Sequence, residues 1–259
     1  MRYILILLSF FFFACDDEGI SGQDISNTNA FSVSNNYIIA HRGCWDNTGD
    51  FPKNSRASFI KALSLDVYGT EFDVHQTEDG VLVVNHDATF NGISIAKSTY
   101  EDLCNSTLSN GETIPRLEDL FLIRNKTDTH VKLIIELKAC NVEDLINMVD
   151  KYQLQEQVEF ISFSKDYCLQ LVDMGYGYKT LYLSGNIAPS DIKNMGIGGI
   201  DYNYSVFDLH PEYITDAKKL GLSVYVWTVN DKNSIINYIE KGVVVTTDCS
   251  EEMTNICFP

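Results

Sequence analysis

The sequence predicts an α/β fold, a (β/α)8 TIM barrel with a small hairpin arm after the second strand. Three observations carry that expectation. From Tyr37 onward, short β-branched and aromatic runs alternate with helically spaced segments for eight rounds, a rhythm that implies parallel strands joined by crossover helices. Several helical segments stop at a glycine, namely Gly175, Gly196, Gly221 and Gly242, the residue that most easily takes the left-handed turn ending a helix. No G-x-G-x-x-G or G-x-x-x-x-G-K-[ST] follows the first strand, so the rival doubly wound sheet lacks its usual phosphate turn.

In chain order, residues 1–14 read as a leader. Arg2 precedes a run over 3–14 that is apolar except for Ser9 and the Tyr3 hydroxyl. That run is too short to span a ~30 Å hydrocarbon core, which needs about 20 helical residues, and its position suits a signal peptide. It ends in Phe12-Phe13-Ala14-Cys15, which resembles a bacterial lipobox with Phe12 in place of the usual Leu. Cys15 is then the lipidated first residue of the mature chain. The acidic Asp16-Asp17-Glu18 that follows resembles either a surface-export signal or an inner-membrane retention signal. The expectation is an exported lipoprotein held in the cell envelope, on the periplasmic or cell-surface side of the outer membrane. Residues 15–36 are polar without sustained periodicity and read as the lipid anchor and its tether.

The domain proper is 37–259. Strands are expected at 37–41, 68–74, 131–138, 158–163, 179–183, 199–203, 223–228 and 243–247. Helical spacing covers 55–65, 117–124 (just after Pro115), 142–152, 165–174, 190–195, 211–220 and 231–241. The extra run at 81–85, close behind the second strand, is the hairpin arm. Cys44, Cys104, Cys140, Cys168, Cys249 and Cys257 form no C-x-x-C pair, so they read as small buried hydrophobes rather than zinc ligands or disulfides.

Acidic residues outnumber basic ones 36 to 19, a formal net charge of −17. Such a chain is a poor partner for nucleic acid, which wants a basic surface. An anionic substrate would need positive charge supplied locally, by a few residues or a metal.

Barrel active sites gather at the C-terminal ends of the strands, and those ends are rich in chemistry. The first ends in His41-Arg42-Gly43, the second carries Glu71-Phe72-Asp73, the arm ends in His86-Asp87, and the third ends in Glu136-Leu137-Lys138. Glu71 and Asp73, two apart on a strand, project from the same face. Glu136 follows apolar Ile134 and Ile135 in a strand that should be buried. Three converging carboxylates repel one another unless a cation sits among them, and an all-oxygen set selects a hard divalent ion, Mg²⁺ or Ca²⁺. The Arg42 guanidinium is a natural fork for phosphate oxygens. Two histidines beside such a site, His41 and His86, offer the acid and base of phosphodiester cleavage. His75, beyond the ligands on the second strand, reads as solvent-facing and is left out. Trp227 reads equally as core or as a substrate platform.

Taken in order, Ile39-Ala40-His41-Arg42-Gly43, Asn54-Ser55, Glu71-Phe72-Asp73-Val74, Thr77-Glu78-Asp79-Gly80, Val83-Val84-Asn85-His86-Asp87, Ile114-Pro115-Arg116-Leu117-Glu118 and Ile135-Glu136-Leu137-Lys138 resemble the glycerophosphodiester phosphodiesterase family. Trp227-Thr228-Val229-Asn230 and Thr246-Thr247-Asp248 resemble its last two strands, so the likeness runs from Tyr37 to Glu252. It implies a metal-dependent hydrolase that converts deacylated phospholipids to glycerol 3-phosphate and an alcohol. In this scheme His41 and His86 are acid and base, Arg42 holds the phosphate and Lys138 adds positive charge. Glu71, Asp73 and Glu136 ligate one divalent cation. A glycerol hydroxyl attacks phosphorus to give a cyclic phosphate, which water opens. The family usually shows Pro-Glu-Asn-Thr after the first loop, where this chain has Pro52-Lys53-Asn54-Ser55. Ser55 can still cap the first helix, but Lys53 reverses a charge. Two other readings stand beside this one. The same fold could act on lysolipids or polymeric glycerol phosphate, or the chain could be a catalytically silent lipoprotein that binds phosphodiesters.

Overall fold

Ile38, Ile39 and Ala40 are apolar in succession, as a strand must be when both of its faces are covered. They form β1 (Ile38–Ala40), and all three are fully buried. The computed structural model describes residues 37–257. The leader, Cys15 and the tether expected over 1–36 lie outside the described residues.

After β1 come α1 (Arg56–Leu63), β2 (Gly69–Gln76) and β3 (Leu82–Val84). The short pair β4 (Thr89–Phe90) and β5 (Ile93–Ser94) leads to a 3₁₀ turn at Ile95–Lys97, then α2 (Tyr100–Leu103) and α3 (Leu117–Asn125). From there strands and helices alternate: β6 (Lys132–Ala139), α4 (Val142–Tyr152), β7 (Val158–Ser162), α5 (Lys165–Asp173), β8 (Thr180–Tyr182) and α6 (Pro189–Asn194). The rest is β9 (Gly199–Asn203), α7 (Tyr204–Leu209), α8 (Glu212–Lys219), β10 (Ser223–Trp227), α9 (Lys232–Glu240), β11 (Val244–Thr247) and α10 (Ser250–Cys257).

Among the described residues, β1, β2, β6, β7, β8, β9, β10 and β11 pair in parallel in that order, and β11 returns to β1. Ile39 lies opposite Thr246 on one side and Gly69 on the other, which closes an eight-stranded barrel. β3 pairs antiparallel with the far end of β2, Val84 opposite Val74. The barrel and its hairpin arm are those expected from sequence. So are the helix stops, since Gly175, Gly196, Gly221 and Gly242 all adopt positive φ. Between the arm and α3 the chain adds β4, β5, the 3₁₀ turn and α2, which were not foreseen; nor were α7 and α10.

Alternation sorts the strand residues. Phe72, Leu133, Phe160, Ile200, Tyr202 and Val226 face outward into a core shared with the helices. Ile39, Ile134, Ile161, Leu181, Tyr225 and Val244 fill the barrel interior. Below them, at the N-terminal end, the Glu159 carboxylate accepts hydrogen bonds from the Tyr225 and Tyr68 hydroxyls at 2.6 and 2.5 Å and pairs with Lys179 Nζ at 3.0 Å. That polar plug is satisfied internally, so it closes one end of the barrel and leaves the other for chemistry. Cys44, Cys140 and Cys168 are buried, Cys104 and Cys249 half-buried, and all five are free.

Candidate active site

On β2, Glu71 and Asp73 share a face, and on β6 Glu136 stands opposite Asp73 in the ladder. All three are buried, and each offers a carboxylate oxygen within 4.8 Å of the others. Burial lifts Glu71 well above the ordinary carboxylate range, and repulsion from Asp73 and Glu136 adds to it. Burial and the Asp73 charge likewise push Glu136 up to about 7. For Asp73 burial also opposes ionisation, but Lys138, Asn54 and Arg42 outweigh it and hold the carboxyl below its usual value. The Lys138 ammonium lies 2.6 Å from Glu136 Oε1 and 3.2 Å from Asp73 Oδ1, yet neither buried oxygen accepts a well-directed hydrogen bond. Three mutually repelling carboxylates, two of them with an orphaned oxygen, are a donor set that fits a hard divalent cation.

The loop after β1 is shaped around this cluster. Arg42 and Gly43 adopt φ of 56° and 81°, a left-handed turn that aims the Arg42 backbone N–H at Glu71 Oε2, 2.9 Å away. A Cβ on Gly43 would come within 2.5 Å of Ser58 Oγ, so only glycine fits there. The Arg42 guanidinium reaches back over the cluster, its Nε 3.7 Å from Asp73 Oδ2. Ser55 caps α1 as expected, accepting a hydrogen bond from the Ser58 N–H at 2.9 Å. Asn54 beside it donates from Nδ2 to Asp73 Oδ2 at 2.8 Å. Lys53 does not enter the site: it is exposed, and its ammonium lies 3.9 Å from the centre of the Trp45 ring. The charge reversal therefore lands on an outer aromatic side chain rather than on the cluster.

His41 Nδ1 lies 2.7 Å from Asp248 Oδ1. An ionised carboxylate can only accept, so Nδ1 carries the proton and Nε2 is left facing the cluster, 4.0 Å from Glu71 Oε2. Trp45 Nε1 and Asn230 Nδ2 also donate to Asp248, at 3.0 and 2.9 Å. Burial opposes ionisation of Asp248, but the donors His41, Asn230 and Trp45 overcome it and hold the carboxyl far below the usual range. His86 is backed the same way at the cavity rim, with Nδ1 2.7 Å from Asp87 Oδ1. His75 corrects the sequence reading, being buried rather than solvent-facing. The hairpin arm covers it: β3 sets Val83 opposite His75, and His75 Nε2 lies 3.2 Å from the His86 carbonyl oxygen.

A cavity of about 220 Å³ brings these groups together. His41, Arg42, Glu71, His86, Glu136 and Lys138 line one side, and Ile161, Phe163, Leu183 and Trp227 the other; Asp73 stands just behind, within the carboxylate cluster. Trp227 lines the cavity half-buried, with Phe163 edge-on at 5.4 Å and its indole N–H donating to the Asp201 carbonyl at 3.0 Å. Every site residue expected within the described residues is thus in one place; Cys15 lies outside them. Sequence reading assigned no role to Asp248, Asn230, Asn54 or Asp201. Asp248, Asn230 and Asn54 lay within quoted motifs, but nothing local showed what they contact. Asp201 had no local signal. It is fully buried and lines the cavity, and burial together with the Glu136 charge raises it well above the ordinary range.

Comparison with known proteins agrees with this geometry. The sequence profile of the glycerophosphoryl diester phosphodiesterase family matches residues 41–251. A glycerophosphodiester phosphodiesterase of Caldanaerobacter subterraneus subsp. tengcongensis is 28% identical over 240 residues, covering 85% of this chain and 96% of the relative. The crystal structure of a glycerophosphodiester phosphodiesterase from Parabacteroides distasonis is 36% identical, with a TM-score of 0.80 over 85% of this chain and 96% of that one. An Oleispira antarctica phosphodiesterase solved with its product sn-glycerol-3-phosphate shares the fold, at 21% identity and a TM-score of 0.73 over 84% of this chain and 95% of that one. With the profile spanning most of the barrel, this chain belongs to the glycerophosphoryl diester phosphodiesterase family.

Proposed function

We propose that this protein hydrolyses glycerophosphodiesters to glycerol 3-phosphate and an alcohol. One observation carries the reading. A single cavity holds two carboxylate-backed histidines, a guanidinium, an ammonium and a buried carboxylate cluster. Glu71, Asp73 and Glu136 would hold one divalent cation, Mg²⁺ or Ca²⁺. When bound, such an ion supplies Lewis-acid polarisation of phosphoryl oxygens.

Arg42 and Lys138 bind the substrate phosphate and offset the charge that grows on its oxygens. The histidines move the protons. As a glycerol hydroxyl oxygen bonds to phosphorus, one imidazole takes its proton, and the other protonates the departing alcohol as its P–O bond breaks. The cyclic phosphate then opens by the reverse exchange: water adds to phosphorus and gives up a proton, and the ring oxygen takes one. Asp248 and Asp87 keep Nδ1 of each ring protonated, so the exchange runs through Nε2.

Product analysis by phosphorus NMR tests the reading with glycerophosphocholine, glycerophosphoethanolamine and lysophosphatidylcholine. Glycerol 3-phosphate from the first two is expected. Turnover of the lysolipid alone would shift the substrate to acylated glycerol, for which Phe163, 46% exposed at the rim, is the receiving surface. The same proposal makes the protein an envelope lipoprotein, supported by the apolar leader and Cys15. Cys15→Ser is expected to move it from the membrane fraction to the soluble one, and unchanged partition contradicts the anchor.

A further inference from the structure

Asp201 is a carboxyl with no structural reason to be where it is. Its neighbours on β9, Ile200 and Tyr202, face the helices and pack in the outer core, which turns Asp201 toward the barrel interior. There it is 1% exposed, and its Oδ1 has no hydrogen-bond partner. A buried polar atom left unpaired is costly, and an apolar residue of that size would fill the same space without penalty. The position makes sense if the partner is a ligand, because Asp201 lines the catalytic cavity on its apolar side, next to Ile161, Leu183 and Trp227.

The direction of the substrate follows from the barrel. The floor is closed by Ile39, Ile134 and Tyr225, and below them by the Glu159 plug. The alcohol released in the first step varies in size and must depart through the open mouth. The glycerol end of the substrate therefore points inward, toward Asp201. If one glycerol hydroxyl attacks phosphorus, its terminal neighbour is free to meet a carboxyl on the opposite wall. Resting on the glycerophosphodiesterase reading, we infer that the Asp201 side chain binds the terminal glycerol hydroxyl and so places the attacking hydroxyl at phosphorus. Asp201 is a positioning residue that selects for glycerol. Its carbonyl, by accepting from Trp227, fixes the platform on which the glycerol carbons lie.

The test pairs a residue change with a substrate change. Metal-loaded wild type, Asp201→Ala and Asp201→Asn are each given glycerophosphoethanolamine and its analogue built on propane-1,2-diol, which keeps the attacking hydroxyl and lacks the terminal one. Wild type is expected to favour the glycerol diester by at least about 10²-fold in kcat/KM, a conservative floor beside the roughly 10⁴-fold by which a site built for a hydroxyl can reject a substrate without it. Asp201→Ala should abolish that preference while turning over the analogue within about threefold of wild type. Asp201→Asn, nearly isosteric, should keep part of the preference, and it decides the question should the alanine variant fail to fold. Equal losses on both substrates would show a merely structural role and overturn the inference. So would an undiminished preference in both variants. Failure of wild type on glycerophosphoethanolamine itself would instead overturn the underlying activity.

Discussion

Which nitrogen of His41 carries the proton decides whether the ring can act on substrate. Asp248 settles that at 2.7 Å and is itself locked by Asn230 and Trp45. Asp248→Asn would offer Nδ1 a donor instead of an acceptor and favour the wrong tautomer. Its kcat is expected to fall by at least about 10²-fold with little change in KM, as for His41→Ala. A kcat within twofold of wild type, measured at saturating substrate, would remove Asp248 from the chemistry. The cavity residues His41, Arg42, Glu71, Asp73, Glu136 and Lys138 were legible because they sit at or just beyond the C-terminal ends of strands, where barrel sites gather, and alternation added that Glu71 and Asp73 share a face. Their supports were not. Asp248 is 207 positions from His41 in the chain, and no local pattern links the two. His75 escaped because it is covered by the arm, through Val83 and the His86 carbonyl, and nothing in its own strand announces that contact.

At the scale of elements, α1 and α3 are tied through Asp119, which accepts from Arg56 Nη2 at 2.7 Å and from Arg116 Nη2 at 2.6 Å. Burial opposes its ionisation, but Arg116 and Arg56 hold the carboxyl below its ordinary value. A depressed carboxyl stabilises the fold above the unfolded-state value of about 3.9, and that stability is lost as pH falls through the lower folded value. Asp119→Asn should therefore cost about 1–3 kcal/mol at pH 7 in urea unfolding. The gap to wild type should close as the pH is taken below about 4. An equal gap at pH 7 and pH 3 would contradict that account. The barrel strands and most crossover helices were legible from period and stop signals. The stretch from β4 to α2 was not, because two-residue strands and a four-residue helix are too short to show a period. Their pairing is fixed by the arm against which they fold.

Over the whole molecule, opposite ends of one barrel solve the same problem differently. At the N-terminal end Glu159 is fully partnered by Tyr68, Tyr225 and Lys179. At the C-terminal end three carboxylates crowd together, and Asp73 Oδ1 and Glu136 Oε1 are left without a well-directed hydrogen bond. A cation that binds only the folded state should then stabilise it, by about 2.7 kcal/mol at a hundredfold excess over its Kd. Adding Mg²⁺ or Ca²⁺ to chelator-treated protein is expected to raise Tm by several degrees, at roughly 2–4 °C per kcal/mol. Glu71→Gln should lose most of that rise; a full rise in the variant would remove Glu71 from the ligand set. The net charge of −17 is no obstacle to an anionic substrate, since Arg42 and Lys138 line the cavity and a divalent cation held by the carboxylates would add positive charge there.

The most direct test of the central claim is glycerol 3-phosphate release from glycerophosphoethanolamine by residues 19–259, first stripped with chelator and then given Mg²⁺ or Ca²⁺ in turn. Release that starts only when one of the ions is restored is the predicted result. Metal-independent release would contradict the role of the carboxylate cluster. No release with either ion across several head groups would contradict the activity itself and leave a barrel that binds phosphodiesters without cleaving them.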